Sequence, residues 1–258
     1  MSAKVALVTA SSAGLGAATV KALAPYFRVV VNYHSRAEKA EQVIREASQI
    51  PPAAADSSPT EEPRFHAIKA DVSQRSEIER LVSETVATMG RLDVVVSNAG
   101  WTRLTNFFDI DQQVNEADWD RCFNVNVKSH LWLLYAAKPH LEKSEAGGGA
   151  FVTVASLAGV RPSGSSLPYS VTKAAEIHLT KGLALICGAK VRCNSVSPGL
   201  MMTEWGNQFP ESKVKATVEK SALKGTATVE DVADQIRTLV LSRSITGQNI
   251  VIDCGIAV

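Results

Sequence analysis

A tyrosine and a lysine four residues apart could carry proton-transfer chemistry in this chain. Tyr169 and Lys173 stand at the ends of the run YSVTK. On a helix this spacing puts both side chains on one face, one turn apart. An ammonium held near a phenol stabilises the phenolate, so such a tyrosine can exchange a proton near neutral pH. Ser156 and Asn126, both upstream, supply further polar groups for such a site.

A glycine-containing turn follows the first apolar run of the chain. It reads TASSAGLG over residues 9–16, and Gly14 and Gly16 allow a close approach of the backbone to a pyrophosphate. The helix that opens there offers N–H groups and the positive end of its dipole. A tight strand–helix connection without a ligand is the other interpretation. The position of the turn in an N-terminal βαβ unit favours a dinucleotide site.

Composition excludes several classes of protein. The chain has 258 residues, 45% of them hydrophobic, and a formal net charge of +1, which argues against binding to nucleic acid or to an anionic membrane. Cys122, Cys187, Cys193 and Cys254 are scattered, so we expect free thiols and no metal site. No apolar run approaches the ~18 residues of a membrane span. These features predict a cytoplasmic protein.

Apolar runs of strand length alternate with longer amphipathic stretches. This rhythm predicts an α/β fold, a single-domain Rossmann-type doubly wound seven-stranded parallel sheet with helices on both faces. The predicted strands are Val5–Val8, Val29–Asn32, Phe65–Ala70, Val94–Ser97, Ala150–Val154, Val191–Val196 and Asn249–Ile252. The predicted helices lie near Leu15–Tyr26, Ala37–Gln49, Ser76–Met89, Asp118–Leu141, Pro168–Cys187 and Val229–Ser242.

Two segments interrupt the alternation. Ile50–Pro63 carries four prolines among small and acidic residues, which predicts an exposed surface insertion. Met201–Gly225 leaves the carboxyl end of the sixth strand and contains a helical stretch around Ser212–Ser221. Ligands of open sheets bind outside these strand ends, so we interpret this segment as a substrate lid. A packed surface helix is the alternative.

Taken in order, the motifs of this chain resemble those of the short-chain dehydrogenase/reductase family along almost its whole length. Beside TASSAGLG and YSVTK, they are Asp71-Val72, SNAG at 97–100, NVNV at 124–127, Pro198-Gly199 followed by Thr203, and TGQNIVIDCG at 246–255. Three positions depart from the family pattern. Ala10 and Cys254 replace usual glycines, and Ser97 replaces a usual asparagine. A methyl group at position 10 could tighten the turn or shift its backbone angles, and we expect a modest effect on cofactor affinity rather than its loss.

The resemblance assigns roles to four residues. It implies that Tyr169 exchanges a proton with a substrate carbonyl oxygen and that Lys173 supports Tyr169 and holds the nicotinamide ribose. Ser156 would hydrogen-bond the same carbonyl, and Asn126 would position a water of a proton relay. Each residue also has a purely structural interpretation. Hydride would come from the cofactor.

The resemblance also implies a nicotinamide dinucleotide site. Asn32, at the end of the second strand, is neutral where an NAD enzyme usually carries an acid, and Ser35 and Arg36 could bind a 2′-phosphate. We therefore expect NADP(H) rather than NAD(H). The expected cofactor-binding residues are Ser11, Ser12, Gly14, Leu15, Gly16, Asn32, Ser35, Arg36, Asp71, Val72, Asn98, Ala99, Gly100, Tyr169, Lys173, Pro198, Gly199, Met201 and Thr203.

The substrate is described only in outline by the sequence. A pocket lined by Trp101, Leu157, Ala158, Leu200 and Trp205 would be apolar and aromatic, without a charged clamp. Arg103 and Arg161 are the nearest cations, and we interpret both as surface charges. A neutral or hydrophobic carbonyl compound or secondary alcohol is therefore expected.

Other functions stay open at this point. An enzyme on the same scaffold could reduce an imine or an alkene, and a catalytically silent NADP-binding protein could sense redox state. A partner-binding role with vestigial cofactor binding is a third alternative. Family members commonly pair through two long helices, here Asp118–Leu141 and Pro168–Cys187, so we expect a homo-oligomer, either a dimer or a homotetramer.

Overall fold

The sheet of this protein is parallel and doubly wound. The computed structural model describes residues 3–53, 63–144 and 148–258. Its seven strands pair in the order β3-β2-β1-β4-β5-β6-β7, and every pairing is parallel. The chain runs from β1 outward to β3 and then returns to β4 beside β1, which makes a topological switch point. The predicted Rossmann-type fold is confirmed.

Strand and helix bounds follow the predicted alternation closely. The strands are β1 Val5–Val8, β2 Arg28–Tyr33, β3 Phe65–Lys69, β4 Val94–Ser97, β5 Gly149–Val154, β6 Val191–Pro198 and β7 Asn249–Ile252. The α-helices are α1 Gly14–Leu23, α2 Ala37–Ser48, α3 Arg75–Met89, α4 Glu116–Phe123, α5 Ser129–Leu141, α6 Leu157–Val160, α7 Leu167–Cys187, α8 Glu211–Lys220 and α9 Val229–Leu241.

Helices cover both faces of the sheet, and β1 shows why its strands are continuously apolar. Ala6 and Val8 belong to the core beneath α1, α2 and α9, whereas Val5 and Leu7 belong to the core beneath α3, α5 and α7. All four side chains are fully buried. Because successive side chains of a strand point to opposite faces, a sheet covered on both faces needs an apolar residue at every position.

The predicted helix near Asp118–Leu141 is the main departure from the expected elements. It is divided into α4 and α5 by a π-helical segment, Asn124–Lys128. A π segment widens the turn locally and commonly occurs at functional sites. Here it carries Asn126, whose side chain bonds to a neighbouring loop rather than to solvent.

The two irregular segments have different outcomes. The predicted insertion at Ile50–Pro63 falls largely on residues 54–62, outside the described residues. The predicted helical stretch around Ser212–Ser221 is α8, and a short 3₁₀ helix, Gly206–Gln208, precedes it. Across the described ranges, no helix combines the length and hydropathy needed to cross a membrane.

Candidate active site

Helix α7 brings Tyr169 and Lys173 to the carboxyl end of β5. Ser166 caps the helix and accepts a hydrogen bond from the Tyr169 N–H at 3.3 Å, and Pro168 lies in the first turn, where its missing N–H costs nothing. The Lys173 Nζ is 5.7 Å from the centroid of the Tyr169 ring. The predicted pairing of ammonium and phenol is therefore built into one helical turn.

Ser156 lies two residues after the end of β5 and caps the short helix α6. Its Oγ accepts a hydrogen bond from the Ala158 N–H at 3.2 Å. The hydroxyl proton keeps a free direction, because a hydroxyl has one donor and two acceptor positions. Ser156 can thus donate to a substrate oxygen while its cap is maintained.

Two cavities meet at Ser156 and Tyr169. The first, which we call the lid cavity, has a volume of about 320 Å³ and lies under Trp205 and Phe209. The second, the turn cavity, has a volume of about 440 Å³ and reaches from Lys173 to the glycine turn. Ser156 and Tyr169 line both cavities. A group in one cavity can therefore approach a group in the other at the Tyr169 phenol.

The glycine turn leaves backbone open to the turn cavity. A Cβ at Gly16 would lie 2.6 Å from the Ala10 carbonyl oxygen and 2.8 Å from the Asn98 Nδ2, so only glycine fits there. Asn98 holds the turn closed by donating to the Thr9 and Ala10 carbonyl oxygens at 3.0 and 3.2 Å. With the N-terminus of α1 beside it, this cradle fits the pyrophosphate of a dinucleotide.

Most of the predicted cofactor residues line the turn cavity. Those that do are Gly14, Leu15, Gly16, Arg36, Asn98, Gly100, Tyr169, Lys173, Pro198, Gly199, Met201 and Thr203. Those that stand back from its wall are Ser11, Ser12, Asn32, Ser35, Asp71, Val72 and Ala99. Among these, Ser11 is buried, and its Oγ donates to the Val8 carbonyl oxygen instead of facing the cavity. The sequence missed the wall residues Ala10, Ala13, Val154, Ala155, Glu204 and Gln208.

Charges gather where the adenosine ribose of a dinucleotide would lie. Arg36 and Lys39 both form ion pairs with Glu204, which comes from the lid segment. Asn32 serves the backbone, since its amide bonds to the Ala10 N–H and to the carbonyl oxygens of Ile68 and Ala70. The Asn32 amide is therefore occupied by backbone groups, and the residue adds no charge to this part of the cavity. Lys39 was identifiable in sequence as a second cation one turn after Arg36.

Lys173 is anchored from the interior as well as facing the turn cavity. Its Nζ donates to the Val154 carbonyl oxygen and to Glu176 Oε2, both at 2.7 Å. Burial opposes the lysine charge, but the Glu176 carboxylate outweighs it and holds the pKa of Lys173 above its usual value. For Glu176 burial dominates over the attraction of Lys173 and raises its pKa to about 7.

A buried histidine, His130, lies behind the ion pair of Lys173 and Glu176. His130 Nδ1 lies 2.6 Å from Ser97 Oγ, and its Nε2 is 3.5 Å from Glu176 Oε1. Burial and the nearby Lys173 hold the pKa of His130 well below its usual value, so the ring is neutral. Ser97, one of the departures from the family pattern, supplies the hydroxyl of this contact. Sequence reasoning missed both His130 and Glu176, which are scattered in sequence.

Asn126 supports the wall of the turn cavity without lining it. Its Oδ1 accepts from the Trp101 N–H at 2.7 Å, and its Nδ2 donates to the Trp101 carbonyl oxygen at 2.9 Å and to Thr172 Oγ1 at 3.1 Å. Both Asn126 Oδ1 and Lys173 Nζ lie within 4 Å of a Cβ built on Gly100. The side chain thus fixes the loop after β4 next to the lysine.

The walls of the lid cavity agree only in part with the predicted substrate pocket. Leu157, Ala158, Leu200 and Trp205 line it, and the Trp205 ring is 6.3 Å from that of Tyr169. Trp101, also predicted for the pocket, does not line the lid cavity. Its ring lies under the Arg121 guanidinium at 4.5 Å, because its backbone is held by Asn126.

The expectation of an uncharged pocket wall is also wrong. Arg161, Lys213 and Lys220 line the lid cavity. Arg103 stays outside it and pairs with Asp118 at 2.7 Å. Sequence spacing alone did not reveal which lysines of α8 would face inward. Within the described part of the chain, no group of three or more histidine, cysteine or acidic residues could hold a metal ion.

Comparison with known proteins adds a family match and close relatives. The family model described as short chain dehydrogenase matches residues 4–213. A granaticin polyketide synthase putative ketoacyl reductase 2 from Streptomyces violaceoruber is 37% identical over 256 residues, which cover 98% of this chain and 96% of the relative.

Solved structures share the fold over nearly the full length. A short chain dehydrogenase from Burkholderia cenocepacia, in complex with NADP, has a TM-score of 0.84 and 30% identity, covering 99% of this chain and 98% of that chain. A 3-ketoacyl-(acyl-carrier-protein) reductase from Brucella melitensis, complexed with NADH, has a TM-score of 0.83 and 24% identity, with the same coverage. The two structures hold different nicotinamide cofactors.

Proposed function

The chain belongs to the short chain dehydrogenase family of oxidoreductases, and we propose that it transfers a hydride between NADP(H) and the carbonyl or secondary alcohol of a hydrophobic small molecule. The observation that carries this proposal is the junction of the two cavities at Ser156 and Tyr169. A dinucleotide in the turn cavity and a carbonyl compound in the lid cavity would meet beside one phenol and one serine hydroxyl.

Proton transfer is the task of Tyr169 in this proposal. In reduction its phenol donates a proton to the carbonyl oxygen, and in oxidation the phenolate accepts one from the alcohol. The Lys173 ammonium, held 5.7 Å from the ring, stabilises the phenolate. Ser156 donates a hydrogen bond to the same oxygen, where negative charge develops. The nicotinamide, when bound, supplies or accepts the hydride.

Two features of the turn cavity support NADP(H) over NAD(H). Arg36 lines the cavity and Lys39 stands beside it, so two cations face one carboxylate, Glu204. This excess of positive charge suits a 2′-phosphate. Asn32, at the end of β2, adds no opposing negative charge. Measuring kcat/KM for NADPH and NADH with one ketone tests the preference, and a higher value for NADH would contradict it.

The proposed proton transfer is tested by Tyr169→Phe. We expect this variant to lose about 10²–10⁴-fold in NADPH-dependent ketone reduction, which is the usual contribution of general acid catalysis. Cofactor binding, followed by quenching of tryptophan fluorescence, should persist. Tyr26→Phe is the matched control, since Tyr26 is exposed and remote from both cavities. An undiminished rate in Tyr169→Phe would reject the assignment.

Assembly of copies is part of the same proposal. Apolar side chains stand exposed on the two long helical stretches that family members use for pairing: Phe123, Leu131, Tyr135, Val171, Leu185 and Ile186. Exposed apolar surface of this kind marks protein contacts. We propose a homodimer or homotetramer through these helices. Light scattering that gives the mass of one chain would contradict it.

The segment 201–225 is proposed as a lid over both cavities. Met201, Thr203 and Trp205 line both of them. A segment that forms a wall of each cavity must move, or open at its edge, when a ligand enters. Protection of this segment from proteolysis by NADPH would support the lid, and identical cleavage with and without NADPH would count against it.

A further inference from the structure

Helix α8 turns one charged face toward the lid cavity. Lys213, Thr217 and Lys220 stand at i, i+4 and i+7, so they share a helical face, and all three line the cavity. Arg161, which follows α6, adds a third cation from another segment of the wall. Among the described residues that line this cavity, none is acidic. The wall of the lid cavity therefore carries a net positive charge.

Of these three cations, Lys213 has an ammonium group held in a defined position at the cavity wall. Its Nζ donates to the Gly164 carbonyl oxygen at 2.7 Å and lies 4.6 Å from the centroid of the Phe209 ring. Lys213 as a whole is solvent-exposed, but partial burial of its ammonium against these groups lowers its pKa. In the described part of the chain no carboxylate pairs with it. By contrast, Lys215 on the same helix, outside the cavity wall, forms an ion pair with Glu211 at 2.7 Å.

Gly164 connects Lys213 to the proton-transfer site. Its carbonyl oxygen accepts from the lysine, and a Cβ built on the same residue lies 3.6 Å from Tyr169 Cδ1. The lengths of the intervening bonds and contacts limit the distance from the ammonium to the edge of the phenol ring to roughly 10 Å. A single small molecule can therefore reach both groups.

From this arrangement we propose that the substrate is an oxo acid: a carbonyl compound whose anionic group, a carboxylate or a phosphate, binds Lys213. Leu157, Trp205 and Phe209 line the space between, so the part that links carbonyl and anion is apolar. Lys220 and Arg161 raise the local positive potential that draws the anion in. This inference rests on the proposed carbonyl reduction and specifies its substrate class.

Matched substrates test the proposal directly. We would measure NADPH-dependent reduction of 4-oxo-4-phenylbutanoate, its methyl ester, its amide and the corresponding phosphonate. The wild-type protein should give a kcat/KM for the acid at least about tenfold above those for the ester and the amide, since charge-assisted hydrogen bonds are worth about twice neutral ones. The phosphonate arm shows which anion is preferred. Added salt should reduce the preference for the acid.

Two substitutions on α8 test whether Lys213 is the residue that binds the anionic group. Lys213→Met keeps the length and apolar contacts of the side chain, and it should lower the ratio of kcat/KM for acid to ester about tenfold, mainly through KM for the acid. Lys215→Met, on the outward face of α8, should leave that ratio unchanged. The proposal is overturned if the wild type reduces acid and ester equally well, or if Lys213→Met lowers both equally.

A binding measurement covers the case in which none of these ketones is reduced. The thermal stability of the NADP⁺-bound protein would be compared with 4-phenylbutanoate and with 4-phenylbutanamide. The carboxylate should stabilise the wild type more than the amide does, and this difference should vanish in Lys213→Met; equal shifts overturn the inference. Failure of the proposed function shows up differently, as retained turnover in Tyr169→Phe or as no reduction of any ketone, aldehyde or quinone.

Discussion

Replacing Glu176 by glutamine tests the buried charges behind Lys173. Glu176 and His130 are fully buried, and the Glu176 Oε1 has no hydrogen-bond partner among the described residues. Lys173 binds only the other carboxylate oxygen, at 2.7 Å. Burial thus dominates over the attraction of the ammonium, and the pKa of Glu176 rises from an ordinary 4.5 to about 7. The folded state therefore favours the protonated carboxyl group.

The sign of the effect on stability follows from linkage. A raised folded-state pKa contributes stability that is fully present below the unfolded value near 4.5 and is lost as the pH rises through about 7. At 1.36 kcal/mol per pH unit, this loss reaches about 3 kcal/mol. Glutamine has the shape of the protonated carboxyl group and does not titrate. We expect Glu176→Gln to match the wild type near pH 4.5 and to exceed its free energy of unfolding by up to about 3 kcal/mol above pH 7.

Urea denaturation followed by circular dichroism between pH 4.5 and 9 measures this difference. Glu79→Gln is the control, because Glu79 forms an exposed ion pair with Arg75 and its loss should change the stability little at any pH. The reasoning is refuted if Glu176→Gln is less stable than the wild type by about 3–5 kcal/mol at every pH. That is the cost of breaking a buried pair that is ionised throughout.

The same substitution should stabilise the protein but impair its activity at alkaline pH. Without the carboxylate, the pKa of Lys173 falls, because burial is then opposed by fewer charges. The loss of ketone reduction at alkaline pH should therefore begin at lower pH in Glu176→Gln than in the wild type. A pH profile that only moves down in rate, without this shift, would assign Glu176 a purely structural role.

Three smaller predictions concern the turn cavity. Arg36→Ala should lower kcat/KM for NADPH by roughly tenfold or more and leave that for NADH nearly unchanged, since a hydrogen bond to a charged group is worth about 1.5–3 kcal/mol; equal losses would contradict the 2′-phosphate contact. Glu204→Gln releases Arg36 and Lys39 from their ion pairs and should lower the KM for NADPH in the same assay. Ala10→Gly should raise the free energy of unfolding by roughly 0.5–1 kcal/mol, because Ala10 has a φ of 48° that glycine adopts without strain; destabilisation in urea would contradict it.

Sequence patterns predicted the sheet well because each strand is marked by a run of consecutive apolar residues. Each strand must be apolar at consecutive positions, as Val5–Val8 is, when helices cover both faces. The division of the helix at Asn124–Lys128 could not be predicted in this way. A π segment has no hydrophobic period of its own. It is stabilised by the hydrogen bonds of Asn126 to Trp101, which lies on a loop that is close in space but distant in sequence.

The buried network behind Lys173 escaped prediction for a related reason. Glu176 and His130 lie on α7 and α5, and in sequence each is an ordinary polar residue of an amphipathic helix. Only the tertiary packing of α5 and α7 brings His130 beside Ser97 and Glu176 beside His130. The unusual serine at position 97 was visible in sequence, but its partner was not. A departure from a family motif thus marked the place of an interaction without revealing its chemistry.

The two cavities differ in how far sequence can describe them, and the difference has a physical cause. The turn cavity is proposed to hold a dinucleotide, whose chemistry is fixed, and close approach of the backbone to it requires glycine at set spacings such as Gly14 and Gly16. The lid cavity is assembled from the segments 156–165 and 198–220 together with Tyr169 and Ile256. Nothing in the spacing of these residues indicates that Lys213 lines the cavity while Lys215 does not. That depends on how α8 packs over Gly164, which is why the charge of the substrate had to be inferred from tertiary structure.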